Sequence, residues 1–178
     1  VQVDAATIDG SAHAGDDYRA VTDTLTIPPG STSATITLPL IDDTLDELAE
    51  TFTITLSNAI NASISDGSGS GTIVDNDGPP ALYVDSITID ESAGSAIFTV
   101  SLSTASGLDI SLDSSTLDGS ALAGEDYNGQ LTSTVTIPAG ALSAQIAVPI
   151  TDDLLDEDAE SFILLLGNPG NASLDNSQ

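Results

Sequence analysis

One pattern occurs twice in this chain, about 110 residues apart, and its most faithful parts are acidic. Gly10-Ser11-Ala12-His13-Ala14-Gly15-Asp16-Asp17-Tyr18 returns as Gly119-Ser120-Ala121-Leu122-Ala123-Gly124-Glu125-Asp126-Tyr127. Asp42-Asp43-Thr44-Leu45-Asp46-Glu47-Leu48-Ala49-Glu50-Thr51-Phe52 returns as Asp152-Asp153-Leu154-Leu155-Asp156-Glu157-Asp158-Ala159-Glu160-Ser161-Phe162. Self-similarity at a fixed period means a tandem array, and that restricts the fold before any single motif is read. Like charges packed this densely need a counter-ion or open water.

The alternation inside each unit is that of strands. Ile36, Leu38 and Leu40 alternate with Thr35, Thr37 and Pro39, and Phe52, Ile54 and Leu56 with Thr51, Thr53 and Thr55. In the second unit Phe98, Val100 and Leu102 alternate with Thr99 and Ser101. Period two with hydroxyl residues outside describes sandwich strands, one face buried and one wet. Pro28-Pro29-Gly30 and Pro138-Ala139-Gly140 break the chain at equivalent places as turns. No stretch carries the pattern of a long helix, and the expected class is all-β.

Charge and composition remove several functions. The chain holds 28 acids, no Lys, one Arg (Arg19) and one His (His13), a formal net charge of -27. Such a surface repels nucleic acid and anionic membranes, so neither is an expected partner. A hydrophobic share of 40% is too high for a disordered acidic tail. The lack of Cys excludes disulfides and thiol or iron–sulfur sites. No apolar run approaches the ~20 residues needed to insert in a bilayer, and no signal peptide is present. Because the sequence starts directly on a strand, it reads as a fragment of something longer. Catalysis finds no support: the lone His13 becomes Leu122 in the other unit, and Trp is absent from any sugar platform. An enzyme is not expected.

Alignment of the units assigns their boundaries. Val1 aligns with Ile110, so the first unit has no counterpart of residues 81–109, about two strands. Gln178 aligns with Ser68, so the second has no counterpart of Gly71 to Asp77. The expected domains are a first unit over 1–77 without its N-terminal strands, a stiff Gly-Pro-Pro linker at 78–80, and a second unit over 81–178 without its last strand. Open edges and apolar faces are covered by another chain in many proteins, so neighbouring repeats of the same protein are the expected partners, either donating the missing strands between chains or belonging to a longer parent chain.

Most of the acids fall in the repeated clusters, and they are expected at strand ends rather than on wet strand faces. Two carboxylates ~4 Å apart repel by ~1 kcal/mol in water and ~4 kcal/mol at an effective dielectric near 20. Converging carboxylates therefore splay their loops unless a cation sits among them. Zinc and copper favour His or Cys, and Mg²⁺ demands a tighter octahedron and keeps its waters. Ca²⁺, with six to eight oxygen ligands in flexible geometry, suits these loops better.

These residues resemble the Calx-β family, whose pattern has a Gly-x-Ala-x-x-Gly-x-Asp-Tyr block, an Asp-Asp block ending in Glu-x-x-Glu-x-Phe, and a closing strand ending in Asp-x-Asp. All three occur here in order, the last as Asp75-Asn76-Asp77, and the first two occur twice. The resemblance implies tandem immunoglobulin-like antiparallel β-sandwiches, seven-stranded when complete, with Ca²⁺ bound in loops at one end. By matching positions it implies Asp17, Asp42, Asp43, Glu47, Glu50, Asp75 and Asp77 as ligands in the first unit. In the second it implies Glu91, Asp126, Asp152, Asp153, Glu157, Glu160 and the carbonyl of Leu155. The family's three-Asp run is cut to two here, with Thr44 or Leu154 third, which lowers the expected occupancy.

Blander readings stand beside these. An acid-rich surface can be an adaptation to high salt, though that leaves the duplicated clustering unexplained. Asp16, Asp46, Asp156 and Asp158 read as solvated neighbours, and Asp4, Asp9 and Asp113 as ordinary strand or turn positions. Tyr18 and Tyr127 read as packing residues, and Arg19 as a local counter-charge. Asn61-Ala62-Ser63 and Asn171-Ala172-Ser173 match a glycosylation sequon too short to weigh. The function expected first is a Ca²⁺-stiffened repeat of an adhesive stalk, extracellular or at a bacterial cell surface. The alternative is a regulatory Ca²⁺-sensor pair of a transporter or signalling protein.

Overall fold

A computed structural model describes residues 1–155 and 157–174. The chain divides into two compact units, residues 1–44 with 48–76, and residues 77 onward, to which 45–47 are grouped. Asp156, expected to be a solvated neighbour, lies outside the described residues.

The first unit is a single antiparallel sheet. β1 (Gln2–Asp9) lies between β2 (Thr22–Thr26) and β3 (Glu50–Ile60), and β4 (Ser68–Ile73) flanks β3. Phe52 of β3 faces Gly71 of β4, where an added Cβ would come within 2.3 Å of the phenyl ring. Glycine there lets the ring lie flat across the neighbouring strand. Phe52, Ile54 and Leu56 stay only half-buried. Among the described residues no second sheet covers that face.

The second unit is a two-sheet sandwich. One sheet has the order β10-β7-β8, from β7 (Ile110–Asp118), β8 (Ser133–Ile137) and β10 (Phe162–Gly170). The other is β11-β5-β6-β9, from β5 (Ala81–Val84), β6 (Ser95–Leu102), β9 (Ser143–Pro149) and the short β11 (Ser173–Leu174). The β11–β5 ladder is parallel, the one departure from antiparallel pairing among the described ladders. Alternate residues of β6 (Ala96, Phe98, Val100, Leu102) meet Ile110, Leu112 and Ile137 of the opposite sheet in one buried cluster. Fully burying side chains of this size is worth ~1.5–3 kcal/mol each. The first unit buries only Ala5, Ala12 and Tyr18 among its described hydrophobics.

Two expectations need correction. The alternation at Ile36, Leu38 and Leu40 predicts a strand, yet residues 33–39 form none. Their equivalents build β9 by pairing with β6, from Ser95↔Pro149 to Ser101↔Ser143. Among the described residues the first unit has no strand in the place of β6 with which this segment could form a ladder, and its Pro39 O accepts the amide of Arg19 at 2.9 Å. The acids are also not confined to strand ends: Asp4 and Asp113 sit inside β1 and β7. Each accepts bonds from two neighbouring strands, Asp4 from Thr24 Oγ1 at 2.6 Å and Asn58 Nδ2 at 2.9 Å, Asp113 from Thr134 Oγ1 at 3.1 Å and Asn168 Nδ2 at 2.9 Å. Asn58 and Asn168 take positive φ where the ladder shifts register, so these acids pin a β-bulge.

Candidate metal centre

The Gly-Ser-Ala segment fixes the site's first wall. In the first unit Ala12 N donates to Thr51 O at 3.0 Å, and Thr51 N donates to Ser11 Oγ at 2.9 Å. A Cβ on Gly10 would stand 2.3 Å from Thr51 O, so only glycine permits this approach. The second unit repeats it, with Ala121 N to Ser161 O at 3.0 Å, Ser161 N to Ser120 Oγ at 2.9 Å, and Gly119 in the same tight contact. Each docking brings the acidic turn beside the residue after Glu50 or Glu160.

The turn then aims an aspartate. Asp17 Oδ2 accepts the amide of His13 at 2.6 Å, and Asp126 Oδ2 accepts that of Leu122 at 2.7 Å. Gly15 and Gly124 hold φ of 109° and 93°, which the turn requires. Single bridges Tyr18↔Leu40 and Tyr127↔Ile150 tie the turn to the chain just before Asp42-Asp43 and Asp152-Asp153.

Asp17 and Glu50 of the first unit are half-buried, whereas Asp42 and Asp43 are exposed. Glu47, half-buried as well, is grouped with the second compact unit. Asp75 is half-buried two residues beyond Ile73, which pairs with Glu50, so it lies at the same end of the sheet. Asp77 is half-buried at the start of the second compact unit.

In the second unit Glu91, Asp126, Leu155, Glu157 and Glu160 line one cavity of about 490 Å³, with Asp90 and Asp158. Glu91 opens a 3-10 turn, Glu91–Ala93. Asp152 and Asp153 are exposed and outside this lining, although Asp153 Oδ1 accepts the amide of Leu155 at 2.6 Å. Partial removal of water, then the charges of Asp153, Asp126, Glu91 and Glu125, push Glu157 above the usual carboxylate range. Glu160 is raised by the same loss of water, then by a hydrogen bond with Asp126 and by nearby carboxylates. A cation relieves this kind of crowding. Asp158, expected to be merely solvated, lies on the cavity wall.

Sequence reasoning missed Asp9 and Asp118. Asp9 Oδ1 accepts the Tyr18 hydroxyl at 2.5 Å and the Ala14 amide at 3.0 Å. Asp118 Oδ1 accepts the Tyr127 hydroxyl at 2.6 Å and the Ala123 amide at 3.0 Å. The signal available was their identical place immediately before each Gly-Ser-Ala. The tyrosines are packed as expected, Tyr127 stacked on Phe162 with centroids 4.4 Å apart and Tyr18 tilted on Phe52 at 5.2 Å. His13 lies 3.9 Å from Asp9, whereas Arg19 forms no ion pair among the described residues.

The sequence matches no curated protein. Among solved structures, the crystal structure of CBD12 from CALX1.2 is 26% identical, covering 94% of this chain and 67% of that chain, with a TM-score of 0.45. The apo-form Calx CBD1 domain is 24% identical over 56% of this chain and 89% of that one, at a TM-score of 0.52, a likeness of fold. Calcium binding domain CBD12 of CALX1.1 is 24% identical over 99% of this chain and 70% of that one, at 0.46. The family model of the Calx-beta domain matches twice, over residues 1–77 and 75–177. With two matches that run through nearly the whole sequence, this chain belongs to the Calx-beta domain family.

Proposed function

We propose that the chain is a pair of Ca²⁺-binding modules, in which the ion draws acidic loops together at the strand ends. The observation that carries this is the second unit's cavity of about 490 Å³, which Glu91, Asp126, Leu155, Glu157 and Glu160 line together. Those carboxylates and the Leu155 carbonyl form the proposed ligand set, with Asp152 and Asp153 at its margin, and they supply the several oxygens that calcium requires. Asp17, Asp42, Asp43, Glu50 and Asp75 are the ligands proposed at the equivalent end of the first unit. Bound calcium supplies positive charge that cancels the carboxylate repulsion. The chain's own part is to hold Asp17 and Asp126 by hydrogen bonds from backbone amides and to place Glu50 at the start of β3 and Glu160 two residues before β10. Binding rather than catalysis is the proposed role.

Melting the chain with calcium and with chelator tests this. At a hundredfold excess over Kd, linkage predicts ~2.7 kcal/mol of added stability, and an unchanged midpoint rejects the reading.

The double family match supports a calcium-responsive pair of regulatory kind. The long identical runs between the two units favour the second reading, a stiffened stalk or adhesin outside the cell. Affinity separates them: Kd between ~10⁻⁷ and 10⁻⁵ M belongs to sensors, and ~10⁻⁴ to 10⁻³ M to extracellular modules.

The partner proposed is a neighbouring repeat that adds a strand to β10. β10 pairs only with β7 among the described strands, whereas its counterpart β3 also carries β4. A groove of about 510 Å³ runs between residues 84–89 and 159–164 along that edge. Phe162 stands where Phe52 requires Gly71, so the incoming strand must carry glycine opposite Phe162. A synthetic peptide of residues 68–77 should bind the chain in a fluorescence anisotropy titration, and its Gly71→Val version should not. Equal binding by both, or by neither, removes strand donation.

A further inference from the structure

We propose that Asp9 and Asp118 are positioning residues of the two calcium sites, which act through a tyrosine latch without touching the ion. The inference rests on the calcium reading above and assigns roles to residues outside its ligand sets. Asp118 ends β7, and one of its oxygens, Oδ1, accepts both the Tyr127 hydroxyl and the Ala123 amide, at 2.6 and 3.0 Å. The same turn carries the bond from the Leu122 amide to Asp126 Oδ2 at 2.7 Å, and Asp126 lines the cavity.

Tyr127 joins the walls of the site. Its ring lies on Phe162, two residues after Glu160, and its backbone bridges Ile150, two residues before Asp152. Thr151 N also donates to Asp126 O at 2.9 Å. Stacking alone leaves a ring free to slide in its plane, and the hydroxyl bond to Asp118 stops that sliding. Asp126 and Glu160 thereby keep their separation before any ion arrives. The first unit repeats the hydrogen bonds, with Asp9 Oδ1 accepting Tyr18 and Ala14, and Asp17 accepting His13, while the Tyr18 ring is tilted on Phe52. The same five-residue hydrogen-bonded constellation in both units points to a device rather than an accident of packing. In metal sites, groups that orient ligands without contacting the ion typically contribute 10–100-fold in affinity.

The test uses the whole chain, with calcium followed by titration calorimetry and stability followed by melting in chelator. Asp118→Ala and Tyr127→Phe should each weaken binding at the second site roughly tenfold and lower the chelator midpoint by only about 4 °C, the effect of one net hydrogen bond, because Asp118 is exposed and the ring stack persists. Asp118→Asn keeps an Oδ1 acceptor for both donors and should retain most of the affinity, although it loses the charge. Amide exchange in chelator should quicken at Leu122 and Ala123 in Asp118→Ala but not in Asp118→Asn. Wild-type affinity in Asp118→Ala and Tyr127→Phe overturns the latch while calcium binding stands. An Asp118→Asn loss equal to that of Asp118→Ala assigns the effect to charge and also overturns it. Absence of calcium uptake by the wild type removes the functional reading, and the latch falls with it.

Discussion

Individual residues here do opposite things with the same carboxylate. Glu160 and Glu157 are raised in pKa because their surroundings disfavour charge, so the folded chain holds protons there that the unfolded chain releases. Their contribution is complete below the ordinary value near 4.5 and is lost as pH rises through the folded-state values. Without calcium, Glu160→Gln should therefore raise the melting midpoint at pH 7 and flatten its decline above pH ~5. With calcium the same change should lower affinity by about tenfold, read by calorimetry. Asp4 behaves in reverse. Hydrogen bonds from Thr24 and then Asn58 lower its pKa below 3.8, so its contribution is present above that value and lost as pH falls through the folded-state one. Asp4→Ala should cut the midpoint by about 4 °C, the effect of one net hydrogen bond in a domain this small, and leave calcium affinity unchanged. An affinity loss as large as that of Glu160→Gln would instead support a diffuse acidic surface.

At the level of elements, near-identical segments adopt different structure because their neighbours differ. Residues 143–149 form β9 against β6, and residues 33–39, with the same alternation, form no strand. Ser173-Leu174 likewise pair with β5, while Ser63 and Ile64 are unpaired in any named strand. Strand propensity describes fit to a half-buried pleated surface and needs that surface to be present. Hydrogen exchange should therefore protect amides along β9 strongly and those of 33–39 weakly, since open backbone bonds exchange from low-energy states. Equal protection would mean that the first segment finds a strand partner in solution.

For the whole molecule the net charge of -27 sets the conditions of stability. Self-repulsion destabilises the compact state, and salt reduces it over a Debye length of ~8 Å at 0.15 M and ~3 Å at 1 M. Sodium chloride alone should raise the melting midpoint of the ion-free chain. Millimolar calcium added in 1 M sodium chloride should raise it further, because converging ligands bind an ion at contact distance where screening is weak. If molar salt abolishes calcium's increment, the acids act as a charged surface and not as sites.

Much of this molecule follows from its sequence alone. Period-two alternation and frequent turn residues require strands, because only a pleated chain puts Phe98, Val100 and Leu102 on one face. The duplicated blocks require two related units, and the exclusively oxygen-bearing acids limit the ion class. Tertiary structure decided what those local rules leave open. Phe52 and Phe98 read alike, but only Phe98 meets an opposite sheet. Asp4, Asp9 and Asp17 are indistinguishable as letters; the first pins a bulge, the second holds a tyrosine, and the third closes the acidic turn on the His13 amide. Alternation records how each residue prefers to be buried, and it is local. Strand pairing and carboxylate convergence depend on backbone partners far along the chain, such as Ser11 with Thr51, and so arise only when the sheets assemble.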